Sequence, residues 1–146
     1  MKITLRGYYA ILALASLARN PSPESRTRVE DIAGQHPIPD AFLLQIFQTL
    51  RRSGLIQSKR GAHGGFQLAK PPGQILLSEI IESVEGKILP SPLEERSDLT
   101  QRPAAWQALD SFWDELRGRI REVVDTYSLA DLAEKIDRRD DAMYYI

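Results

Sequence analysis

The apolar residues of this chain fall into blocks with helical spacing, separated by proline- and glycine-rich breaks. Over residues 4–19, Leu5, Tyr8, Tyr9, Ile11, Leu12, Leu14, Ala15, Leu17 and Ala18 are dense enough to predict a helix buried on most sides. Asn20-Pro21-Ser22-Pro23 stops it. Arg26-Thr27-Arg28-Val29 is short and β-prone, and Thr27 and Glu30 have capping-box spacing before a short helix over Val29–Gln35, with Ile32 and Ala33 inward. His36-Pro37-Ile38-Pro39 is a tight break. Pro39 suits the first position of a new helix, where its missing N–H costs nothing. That helix is expected over residues 39–53, stopped by Gly54. Leu43, Ile46, Phe47 and Leu50 form its core face, and Ala41, Leu44, Gln45, Gln48, Arg51 and Arg52 the opposite one.

Two strand-like runs follow, 55–59 and 65–70, joined by Arg60-Gly61-Ala62-His63-Gly64 into a hairpin with a glycine-rich tip. The order helix, helix, turn, helix, hairpin is that of a winged helix-turn-helix. A short helix is expected over 77–85 and a proline-containing loop over 86–103. A long amphipathic helix over 104–127 comes next, then a short helix capped by Ser128 and running to Ile136. The tail from Asp137 is expected to fray. The fold class is therefore mainly α with a small β-hairpin wing. Its predicted units are a DNA-binding domain over 1–73, a short helix and loop over 74–103, a dimerisation helix and closing helix over 104–136, and a tail over 137–146.

Charge sharpens this picture. The net charge of −1 hides a division: residues 1–72 carry ten Lys or Arg against four Asp or Glu, and residues 73–146 carry nine against sixteen. The first part could face phosphate and the second would repel it. The length of 146 residues, 42% hydrophobic and 27% charged, suits one domain with an appended element. Cysteine is absent, which excludes disulfides, thiolate catalysis, Cys-ligated zinc and all-Cys iron–sulfur clusters. With only His36 and His63, a His-rich metal site is not expected, and no cofactor is. No apolar run approaches the roughly 18 residues of a membrane span, and the N-terminal stretch lacks a signal-peptide cleavage pattern, so a cytoplasmic protein is expected. There is no nucleophile–base pair, P-loop or metal-ligand spacing, so the chain does not read as an enzyme; Glu79, Glu82 and Glu85 read as a solvated helix face.

Reading bases from a helix requires side chains with paired hydrogen-bonding groups. Gln45 and Gln48, one turn apart, could pair bidentately with adenine. Asp40 could accept from a cytosine amino group or cap the helix, and Leu44 could touch thymine methyls or belong to the core. At the hairpin tip, Arg60, Gly61, Ala62, His63, Gly64 and Gly65 set a cation among small residues, which suits a narrow minor groove of negative potential. Lys59 adds charge there, beside His63. Lys2, Thr4, Arg6, Tyr9 and Arg28 are candidates for phosphate contacts, with core packing the alternative for Tyr9. Arg51 either faces DNA or complements the helix dipole.

In the second half, Trp106, Leu109, Phe112, Trp113, Leu116, Ile120, Val123, Val124 and Tyr127 repeat at three and four. A winged helix of ~75 residues covers only one side of such a helix. The same helix of a second chain is expected to cover the rest, giving a homodimer whose two-fold axis matches a palindromic site.

The opening Met-Lys-Ile-Thr-Leu-Arg-Gly-Tyr-Tyr-Ala, the run from Phe42 to Ile56 and the run from Ser58 to Ala69 together resemble the Rrf2 (Rrf-two) family of bacterial transcriptional regulators. Ile80-Ile81-x-x-Val84-Glu85-Gly86 and Ser128-Leu129-Ala130-Asp131-Leu132 resemble its later segments. The resemblance implies a winged-helix dimer that binds double-stranded DNA, with base reading on Ala41, Gln45 and neighbours and minor-groove contact from Arg60 to Gly65. Ala62-His63 stands where the usual wing has Pro-Gly, and Leu44 where some members carry Glu. Cluster-bearing members use three Cys after Val84-Glu85-Gly86, and this chain has none. The resemblance therefore implies a cluster-free regulator, expected to be a repressor, with a metabolite or a partner protein left open as effector. The rival reading is a protein-interaction module that kept the fold and acts on a partner enzyme.

Overall fold

The structure is a computed structural model that describes residues 2–19, 26–94 and 102–144. The proline-rich stop at 20–23, Glu95 and Arg96 of the loop, and the last two residues lie outside them. Among the described residues, six helices and one hairpin follow in order: α1 (Leu5–Ala18), α2 (Val29–Gln35), α3 (Asp40–Arg52), β1 (Ile56–Lys59), β2 (Gly65–Leu68), α4 (Leu77–Glu85), α5 (Ala104–Val124) and α6 (Leu129–Tyr144), with a 3-10 turn at Pro72–Gln74. The strands pair antiparallel, Ile56 opposite Leu68 and Lys59 opposite Gly65. Thr27 exchanges two main-chain hydrogen bonds with Phe66, so the β-prone segment before α2 extends the hairpin edge by one residue.

The core sits where α1, α2, α3, α4 and α6 converge. Ala10, Ala13 and Ala15 keep the α1 surface low, so larger side chains from its neighbours close against it. Leu43, Ile46, Phe47 and Leu50 are all fully buried, as the spacing predicts. Phe47 meets Phe66 of β2 at a centroid distance of 4.5 Å, which seats the hairpin on α3. Leu129 of α6 is fully buried in the same cluster.

Several local expectations are corrected. The cap of α2 is shifted by one residue: Thr27 is engaged with Phe66, and the Asp31 carboxylate accepts the Arg28 N–H at 3.2 Å. Pro39 is the N-cap of α3 rather than its first residue, its carbonyl accepting from Phe42 and Leu43. The closing helix does not stop at Ile136, and the tail does not fray at Asp137. Helix α6 continues to Tyr144, because Arg19 at the end of α1 binds Asp137 at 2.6 Å and Asp140 at 2.7 Å. A boundary at 136/137 therefore cuts through a helix. Ser128 does cap α6, in a reciprocal box with Asp131.

Nor are the α4 carboxylates a solvated face. Glu79 pairs with Lys70 at 2.7 Å and caps α4 through the Leu76 N–H. Glu82 pairs with Arg121 of α5 at 3.0 Å. Glu85 takes the Thr4 N–H and hydroxyl, both at 2.8 Å, and the Gly7 N–H at 3.1 Å.

Candidate nucleic-acid interface

Burial of the α3 core face leaves Asp40, Ala41, Leu44, Gln45, Gln48, Arg51 and Arg52 exposed along the opposite side. The helix is held in place by its own polar edges. The Arg6 guanidinium donates to Thr49 Oγ1 at 2.9 Å, and the Thr49 hydroxyl donates to the Gln45 carbonyl at 3.1 Å. Arg51 donates to Ser58 Oγ on β1 at 3.2 Å, tying α3 to the hairpin stem. Arg52 turns back to the Gln48 carbonyl.

At the hairpin tip, Lys59, Arg60, Gly61, Ala62 and His63 are exposed, and Gly64 and Gly65 are half-buried. The tight turn needs its glycines. Gly61 has φ 113°, and a side chain on Gly64 would collide with the Lys59 carbonyl and come within 2.8 Å of the Gly61 carbonyl. Arg28, beside the start of α2, donates to the Ala62 carbonyl at 2.9 Å and so holds the tip from below. Between the wing and the first turn of α3 lies an open groove of about 700 Å³, lined by Arg28, Asp40, Ala41, Leu44, Lys59, Gly61 and Gly65 among others.

The ten cations of residues 1–72 do not share one task. Arg19 and Lys70 are spent in the ion pairs given above. None of Arg28, Arg51, Arg52, Lys59 and Arg60 has a carboxylate partner among the described residues. Their charge is available to an external anion. Lys2 is exposed beside α1. One phosphate candidate is occupied internally: the Thr4 hydroxyl gives its single proton to Glu85. The Tyr9 ring packs edge-on against Phe42 at 5.9 Å. Sequence reasoning missed Thr49, whose hydroxyl links Arg6 to α3; nothing in a lone threonine on a helix flags that role.

The α5 stripe is unfinished. Trp106, Leu109, Phe112 and Val123 are exposed, Phe112 by 54%, while Trp113, Leu116, Ile120 and Val124 are half-buried; α5 ends at Val124 rather than at the expected 127, because the chain turns there, so Tyr127, also exposed, lies beyond the helix. No residue of this 21-residue helix is fully buried. Near its start, Asp110 accepts from Ser91 at 2.6 Å and Arg102 at 2.5 Å, and Arg117 donates to the Leu89 carbonyl at 2.9 Å.

A sequence profile described as that of the Rrf2 iron-dependent transcriptional regulators matches residues 3–135. The chain is 35% identical over 147 aligned positions to the HTH-type transcriptional regulator CymR of Bacillus subtilis (strain 168), covering all of both chains. The solved structure of CymR (YrzC), the global cysteine regulator of B. subtilis, superposes with a TM-score of 0.69 at 32% identity, covering 92% of this chain and 98% of that one. The IscR structure from T. potens gives 0.65 at 27% identity, covering 93% and 88%.

The residues present do not fit a thiolate-held iron centre. The sequence has no cysteine. In the segment after α4, Glu94 is paired with Lys87 and Arg117, and Asp110 with Arg102, so these two carboxylates are already neutralised by cations. No cluster of three potential ligands occurs among the described residues. This segment is fastened to α5 by ion pairs and hydrogen bonds.

Proposed function

Because the chain belongs to the Rrf2 family, and is with it a DNA-binding transcriptional regulator and not an enzyme, we propose that it works as a cluster-free homodimeric repressor on a palindromic site. The observation that carries this reading is the apolar stripe of α5, too large to leave in water on a chain whose core is complete without it. Two copies packed stripe to stripe place two α3–wing units on one duplex. Within each unit, α3 enters the major groove with Asp40, Ala41, Leu44, Gln45 and Gln48. The wing, from Lys59 to Gly65, meets the adjacent minor groove, where Arg60 is drawn by the negative potential. Lys2, Arg6 and Arg51 supply phosphate contacts, which fix register without reading sequence. The cytoplasm is where such a protein meets its DNA, and a metabolite or partner protein supplies the signal.

The test is selection of random duplexes on the full chain, followed by fluorescence anisotropy. A dimer covering ~8 phosphates gives a log–log salt slope near −7. Replacing Gln45 by Ala costs ~1–3 kcal/mol at one base position per half-site. Equal binding by the parent and a Gln45→Ala, Arg60→Ala double variant overturns the reading.

A further inference from the structure

Resting on the DNA-binding reading above, we infer that Leu44 selects a thymine in each half-site by packing on its C5-methyl group. Leu44 is 45% exposed although the α3 core face is closed by four fully buried side chains, so the core does not require it. Its neighbours on the exposed surface are polar or small: Asp40, Gln45 and Gln48, with Ala41 one turn earlier. The Ala41 side chain is a single methyl, so a base edge can approach the first turn of α3 without obstruction. Leu44 lines the same groove as Ala41, Lys59 and Gly61, which places it on the side of the reading helix nearest the wing.

The chemistry of the major groove narrows what such a side chain recognises. The thymine methyl is the one apolar group that the four base pairs present there. Covering it with leucine removes apolar surface from water on both sides. Cytosine at the same position lacks that methyl and leaves leucine nothing apolar to cover, while its amino donor, like the thymine O4, finds no partner on a hydrocarbon side chain. Leu44 thus favours thymine over cytosine by the methyl contact alone, whereas a carboxylate at this position would favour cytosine by accepting from its amino group.

The experiment uses the full chain and its selected duplex, with each thymine replaced singly by deoxyuridine, which removes only the methyl. The parent protein is expected to lose about three- to tenfold in affinity at one thymine per half-site. The Leu44→Ala variant is expected to lose nothing further at that position while keeping its response to substitution at the Gln45 position. Circular dichroism and thermal melting confirm that the variant is folded; a Leu44→Met variant, which keeps the apolar contact, retains the deoxyuridine effect. A duplex that is selected but indifferent to every deoxyuridine, or a loss that persists undiminished in Leu44→Ala, overturns the inference and leaves the DNA-binding reading intact. Failure to enrich any duplex overturns both.

Discussion

Glu85 caps a helix whose N-cap residue, Thr4, lies 81 positions before it: its Oε1 accepts both the main-chain N–H and the hydroxyl of Thr4 at 2.8 Å. A third bond from the Gly7 N–H satisfies another of the donors that a helix start leaves open. The α1 N-terminus is thus completed by the last residue of α4, just before the chain leaves for its loop. Replacing Glu85 by Ala is expected to lower unfolding free energy by about 1–3 kcal/mol, read as a reduced urea midpoint at unchanged slope. Burial pushes this carboxyl up, but the bonds from Thr4 and Gly7 and the nearby Arg6 charge outweigh it and hold the group below its ordinary value of 4.5. Its contribution is therefore complete above that value and fades as pH falls through the lowered one. Glu85→Gln should flatten this acid limb.

His36 supplies a second, milder acid sensitivity. Burial, aided by the Arg19 charge, depresses its pKa below 6.5, with Asp140 opposing; its Nε2 lies 3.4 Å from Ser16 Oγ. The folded state favours the neutral ring, so stability is fully present above 6.5 and declines as pH falls through the depressed value. The melting temperature is expected to fall between pH 7.5 and 5.5, and to fall less in His36→Gln. An identical fall in the variant would show that other groups carry it.

Phe112 stands on the exposed stripe of α5. A glutamate there places a charge in the centre of the proposed dimer interface, where desolvation is costly. Phe112→Glu is expected to sediment as a monomer at micromolar concentration, to melt within a few degrees of the parent, and to lose specific DNA binding. A dimer in this variant would move the interface elsewhere.

Arg60 and Gln45 should separate minor-groove attraction from major-groove base reading. Arg60→Ala is expected to weaken binding most at A·T-rich flanks and to flatten the log–log salt slope by about one unit per subunit. Gln45→Ala should leave that slope unchanged and relax preference at one position. Titrations at several salt concentrations distinguish the two patterns directly.

What the sequence disclosed, and what it withheld, divides by range. The α3 core face was legible because Leu43, Ile46, Phe47 and Leu50 repeat within one helix, and the wing because its glycines and strand runs are adjacent. The α5 stripe was legible for the same reason. The length of α6 was not. Residues 137–143 are mostly charged, and the partner of Asp137 is Arg19, 118 positions earlier. Glu85 looked like one more acidic residue on a short helix for the same cause. Thr4 sits among basic residues and so resembles a phosphate ligand, yet its hydroxyl's partner, Glu85, lies on another helix. Pairings of that span leave no local trace.

The main chain is stitched together where the segment carrying α4 and α5 begins and ends: the Leu77 N–H meets the Tyr127 carbonyl at 3.0 Å, and the Leu129 N–H meets the Ile75 carbonyl at 2.8 Å. Everything between those points is an excursion closed at its neck. Insertions or substitutions in the stretch after Gly86 fall inside that closure and leave its two bonds in place. A chain fastened this way can change the length of the excursion without drawing Leu129 and α6 off the core.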